Sequence, residues 1–167
     1  KSFGYYLKEY FLRQFSSGFF GRRYCICRGY CYRLYEKSME AFIGAGVKVL
    51  VTEMELSVLP WPKGNYGAAI ETNFAYKDEM DPYKNGLPEE KAKEQNDFYI
   101  KLFDIYLRHS KDIGRVTFWG VSDGDSWKNN FPIHGRTDYP LAFDRDLKPK
   151  PFVKTVIEMA KSGRYDK

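Results

Sequence analysis

The sequence has few of the residues that hold metals or cross-link small folds. Its three cysteines, Cys25, Cys27 and Cys31, are clustered near the N-terminus, and its two histidines, His109 and His134, lie far from them. Cys-x-Cys-x3-Cys is not a zinc spacing, and an odd count argues against a disulfide framework. The cysteines therefore read as incidental, with no zinc site. No apolar run is long enough to span a bilayer. The first residues do not read as a signal peptide either, because Lys8, Glu9 and Arg13 interrupt their apolar character. The formal net charge is +5, yet basic runs such as Arg22-Arg23 are short and unrepeated. That is a moderately basic surface, with no nucleic-acid module. Internal repeats and low-complexity tracts are absent.

Aromatic residues are abundant. Fourteen Tyr, thirteen Phe and three Trp in 167 residues exceed what one small core consumes. Aromatic faces line sugar-binding grooves, so a carbohydrate ligand is one reading. Local compositional bias is the other. The chain changes character near Tyr32. Before it, Ser2 to Phe15 could form an aromatic helix, and Phe19 to Tyr32 follows neither helical nor strand period.

From Tyr35 the pattern becomes regular. Tyr35, Met39, Phe42 and Ile43 give one helical apolar stripe, which Gly44 and Gly46 can terminate. Val47 to Val51 reads as a strand buried on both faces, with Glu53 just past its end. Residues 56–88 are rich in Pro and Gly and read as a long loop. A helix is expected from Pro88-Glu89-Glu90, with Phe98, Leu102, Ile105, Tyr106 and His109 on its inner face. Arg115 to Trp119 is the next strand, and a second long loop runs to Lys150. A last helix starts at Pro151, with Val153, Val156, Ile157 and Ala160 on one side. Strands alternating with helices, and long loops only after strands, predict an α/β fold with parallel strands and an elaborated C-terminal face. Two such units cannot cover a sheet alone, so they fit part of a larger (β/α) barrel.

Glu53 is the acid with the most to explain. Alternation puts Glu53 and Glu55 on one side of the strand and Met54 on the other. A carboxylate there either pairs with an arginine across strand ends or performs chemistry, and spacing leaves both open. Parallel strands joined by a crossover end on the same face. Glu53, Trp119 and Trp127 can therefore border one groove, where an indole face packs on sugar C–H groups. Core packing is the plainer role for either tryptophan.

Four segments, in order, carry a family resemblance. They are Val51-Thr-Glu-Met-Glu55, Val116-Thr-Phe-Trp-Gly-Val-Ser-Asp-Gly-Asp-Ser-Trp127, Phe131-Pro-Ile-His-Gly-Arg-Thr-Asp-Tyr-Pro-Leu-Ala-Phe-Asp144 and Lys148-Pro-Lys-Pro-Phe152. Together they resemble the C-terminal part of glycoside hydrolase family 10, the retaining endo-1,4-β-xylanases, over roughly Tyr35 to Ala160. The resemblance implies strands 7 and 8 of a (β/α)8 TIM barrel and no cofactor. It assigns Glu53 as the nucleophile and Trp119 and Trp127 as walls of the subsites around the cleaved bond. Arg136 would lie near that face, pinning the last loop to carboxylates more readily than contacting sugar. Asp123 and Asp125 would order their loop through backbone contacts.

Two departures accompany the match. Glu55 stands where the family has Asp, a longer acid in a tight place. Residues 1–34 lack the family's Gln-x-His segment, and the Asn-Glu that supplies the general acid/base is absent with the earlier strands. The expected organisation is a non-matching segment over 1–34 and a family-derived part over 35–167. A shifted reading frame or a foreign insert would explain the change, and an unusual natural N-terminal region is the alternative. The implied partners are xylan and xylo-oligosaccharides, with the missing front of the same barrel. The parent enzyme would be secreted or periplasmic, its signal lying outside this chain. The expected function is xylan hydrolysis with the isolated chain inactive. A non-catalytic carbohydrate-binding module or an orphan structural fragment are the competing readings.

Overall fold

A computed structural model describes residues 28–62 and 74–165. The aromatic segment expected to be helical over Ser2 to Phe15 lies outside the described residues, as do Cys25 and Cys27. Four main elements follow α1, Arg28–Gly44: β1, Val49–Met54; α2, Glu89–Arg108; β2, Ile113–Phe118; and α3, Pro151–Lys161. Between them are single 3₁₀ turns at Asp78–Met80, Asp123–Asp125 and Trp127–Asn129. β1 and β2 pair in parallel, with Val51 opposite Val116 and Met54 opposite Phe118. Among the described residues these two strands form the whole sheet, so each has one unpaired edge. An open parallel pair with helices is consistent with part of a larger barrel. No described helix is long and apolar enough to cross a membrane.

Local sequence explains most boundaries. α1 stops where Gly46 adopts a positive φ of 80°, a left-handed conformation that costs glycine little. α2 begins directly after Pro88, and Glu89 and Glu90 occupy its first turn, where carboxylates face the positive end of the helix dipole. α3 begins with Pro151 itself, whose missing N–H costs nothing at a first helical position.

The core lies between the sheet and α2. Phe98, Tyr99, Leu102, Ile105 and Tyr106 of α2 are buried against Val51, Met54 and Phe152. Tyr99 and Phe152 stack with ring centres 4.3 Å apart, joining α2 to α3. From α1, Tyr35 and Met39 enter the same core. The phenols of Tyr35 and Tyr106 share a 2.8 Å hydrogen bond, and burial pushes both above the ordinary tyrosine range.

The outer helices depart from their expected stripes. Phe42 of α1 is 39% exposed and Ile157 of α3 is 48% exposed. Ala160 is exposed too. α3 instead docks through Phe152, with Val153 and Val156 partly buried, because the Tyr99 stack sets its rotation. Phe152→Ala is expected to lower stability by about 3–5 kcal/mol. Ile157→Ser should stay within about 0.5 kcal/mol. Urea unfolding followed by circular dichroism compares the two.

Candidate active site

Glu53 lies inside β1, one residue before its end, rather than beyond it. The ladder extends further because Trp119, directly after β2, donates its backbone N–H to the Met54 carbonyl at 3.1 Å. Met54 is buried in the core together with Val51, and a register shift between these two residues interrupts the alternation, leaving Glu53 and Glu55 half-buried. Among the described residues no hydrogen bond or ion pair engages the Glu53 carboxylate. Trp119 is 49% exposed. The parallel register therefore sets Glu53 and Trp119 at the same end of neighbouring strands.

Glu55 does not remain idle. Its Oε2 accepts a 2.8 Å hydrogen bond from Trp127 Nε1, and its Oε1 lies 3.1 Å from Lys128 Nζ. This bond brings Trp127 back to β1, across the 3₁₀ turn that carries it. Burial pushes the Glu55 carboxyl above its usual value, while the Lys128 ammonium and the indole N–H oppose that rise. The Lys128 Nζ also sits 4.3 Å from the Trp127 ring centre and 5.2 Å from that of Trp61. Lys128 and Trp61 escaped the sequence reading. A lysine amid polar loop residues gives no local signal of burial, since its partner is contributed by a distant strand.

A polar network beneath the site fixes both long loops. Gln95 of α2 donates to the carbonyls of Leu56 at 2.8 Å and Tyr139 at 2.6 Å. Asp123 accepts from the Leu141 N–H at 2.8 Å and pairs with Lys150 at 2.9 Å. Lys150 in turn donates to the Tyr139 carbonyl at 2.7 Å. Burial pushes the Asp123 carboxyl up and the Lys150 ammonium down. Asp138 accepts from Ser57 Oγ, from Val58 N–H at 3.2 Å and from Tyr139 N–H at 2.8 Å. Asp123 thus orders its loop through backbone contact, as expected, and through Lys150 as well. Asp125 accepts from the Ser122 hydroxyl at 2.8 Å, a side-chain contact in place of the expected backbone one.

Arg136 is buried, 3% exposed, and its guanidinium is directed at backbone. It donates to the Pro60 carbonyl at 3.0 Å and the Phe131 carbonyl at 3.2 Å. The expected loop pin is present, with carbonyls taking the place of carboxylates. Away from this face, Glu36, Glu40 and His109 bring one ligand atom each within 4.8 Å of one another. Arg108 already pairs with Glu36 there, so the group reads as a clasp between α1 and α2.

The site thus combines a half-buried acid at a strand end with the exposed Trp119 and the half-buried Trp127, on parallel strands with elaborated loops. The family model for glycosyl hydrolase family 10 matches residues 25–159, beginning inside the segment 1–34, and the chain belongs to that family. Endo-1,4-beta-xylanase A of Xylanibacter ruminicola is 46% identical over 125 residues, covering 75% of this chain and 34% of its own. The thermostable celloxylanase of Thermoclostridium stercorarium is 32% identical over 123 residues, 73% of this chain and 27% of its own. The chain therefore spans about a third of the length of these curated relatives. A GH10 endoxylanase structure from a sugarcane soil metagenome superposes with a TM-score of 0.73 at 38% identity, covering 87% of this chain and 40% of that one.

Asp138→Ala removes the acceptor of two backbone N–H groups, the buried one of Val58 and the part-buried one of Tyr139. It is expected to cost at least about 1–3 kcal/mol. Hydrogen exchange should quicken first at Val58 and Tyr139.

Proposed function

We propose that this chain is the C-terminal part of a retaining endo-1,4-β-xylanase, comprising strands 7 and 8 of a (β/α)8 barrel with their helices. The observation that carries the reading is Glu53: a half-buried carboxylate with no hydrogen-bond or ion-pair partner among the described residues, at a strand end bordered by the exposed Trp119. A structural carboxylate in such a place would be paired. Glu55, two residues on, shows what pairing looks like there.

In this reading Glu53 attacks the anomeric carbon of an internal β-1,4-xylosidic bond and forms a glycosyl-enzyme, which water then hydrolyses. The second carboxylate must stand about 5–5.5 Å away to protonate the leaving oxygen and later activate water. Glu55 is unsuited to that task. It follows Glu53 by two residues, just past the end of β1, and is committed to Lys128 and Trp127. The acid/base would come from the earlier strands of the barrel. Trp119 and Trp127 would wall the subsites, and Arg136 would hold the loops that carry them. The substrates would be xylan and xylo-oligosaccharides. A polymer of that size cannot cross a membrane, so the parent enzyme would be secreted or periplasmic. The barrel-derived part, expected over residues 35–167, would begin earlier, near residue 25 where the family match starts, and a segment of different origin would be confined to the residues before it. A non-catalytic sugar-binding module is disfavoured by the open parallel sheet, whose unpaired edges call for further strands.

The chain alone is expected to release no reducing sugar from xylan. Joined to upstream family 10 strands that carry the acid/base, it should hydrolyse xylan with retained anomeric configuration. Glu53→Gln should then abolish the reaction. Glu53-dependent release by the chain alone would show that another of its acids serves as the proton donor.

A further inference from the structure

Lys128 is 2% exposed, an unusual position for a lysine. Its ammonium is enclosed by the Glu55 carboxylate at 3.1 Å and by the rings of Trp127 and Trp61. Glu55 divides its oxygens, Oε1 to Lys128 and Oε2 to the Trp127 N–H. Phe131 stacks on Trp127 with ring centres 5.0 Å apart and meets Trp61 edge-on at 6.2 Å. The Trp127 indole is thus fixed at its N–H and across its ring, and Lys128 takes part in both restraints. A methionine or leucine would fill the same volume without the cost of desolvating an ammonium. What an apolar side chain cannot do is keep Glu55 ionised as a strong acceptor for the indole N–H.

We propose that Lys128 is a positioning residue for the sugar-binding wall: acting through Glu55 and cation–π contact, it sets the orientation of Trp127 and Trp61. The nature of the ligand rests on the xylan reading above, whereas the positioning itself does not. The charged and titratable groups facing Glu55 are Lys128 and Asp138, with the Tyr99 phenol behind them. Lys128 is the cation among them, so its loss favours the protonated acid. The indole hydrogen bond should then weaken at a higher pH than in the parent chain.

The test uses the full 167-residue chain with ¹⁵N-labelled tryptophan, the three indole N–H resonances being assigned through single Trp→Phe variants. In the parent, the Trp127 resonance should sit at a hydrogen-bonded position at neutral pH and titrate with Glu55. In Lys128→Met the midpoint should rise by about one pH unit or more, and affinity for xylohexaose should fall about tenfold. Lys128→Arg should retain the resonance. A Trp127 resonance and midpoint unchanged in Lys128→Met would overturn the proposal. If Lys128→Met does not give a dispersed spectrum, Lys128→Arg decides: a retained indole bond supports the role of the charge, and a lost one in a folded variant contradicts it. A parent chain that shows the titration but no affinity for xylohexaose supports the positioning and counts against the xylan reading alone.

Discussion

The buried amide of Gln95 is the contact through which helix, strand and loops are held to one another. It projects from α2 and donates to Leu56, just past β1, and to Tyr139, in the loop that follows β2. Lys150 reaches the same Tyr139 carbonyl from the start of α3 while pairing with Asp123. Without these bonds the two loops would have unsatisfied backbone groups beneath the site, each a substantial penalty in a dry interior. The site therefore joins a strand-borne acid, Glu53 of β1, to loops fastened to a helix.

That arrangement explains what could be read from the sequence. The α2 residues declare themselves by period, because the helix buries one continuous face. β1 shows instead as an apolar run, whose expected span, Val47 to Val51, starts two residues before the observed Val49–Met54 and stops three short of its end. The parallel pairing follows from two apolar runs separated by a long helix. The positions of Phe42 and Ile157 were less legible: their spacing suits an inner face, but the rotation of each helix is set by partners such as Tyr99, which spacing does not reveal. Lys128 was invisible for a related reason. Its burial depends on a carboxylate on β1 and on Trp61 in another loop, a set of neighbours that only the folded chain assembles. The family motifs singled out Glu53, while the replacement of Asp by Glu55 gave no hint that the longer acid would reach Trp127 and Lys128.

The same geometry shows why this part of a barrel would need the rest. The strand ends bring a carboxylate and indoles to one face, but the two strands expose their outer edges, and the acid on hand is occupied. In the xylan reading Glu53 would attack the sugar, and the proton donor would come from the earlier strands of the barrel. Among the described residues the anchoring network joins α2, the residues after β1 and the loop after β2 without any contribution from further strands.

Covalent trapping tests the assignment of Glu53 most directly. The chain joined to upstream family 10 strands would be treated with a 2-fluoro-xylobioside bearing a good leaving group, which halts a retaining glycosidase at its glycosyl-enzyme. Mass spectrometry of the digested protein should then find the sugar on Glu53. A label on Glu55 or on another carboxylate, or turnover without any trapped adduct and with inverted anomeric configuration, would contradict the account.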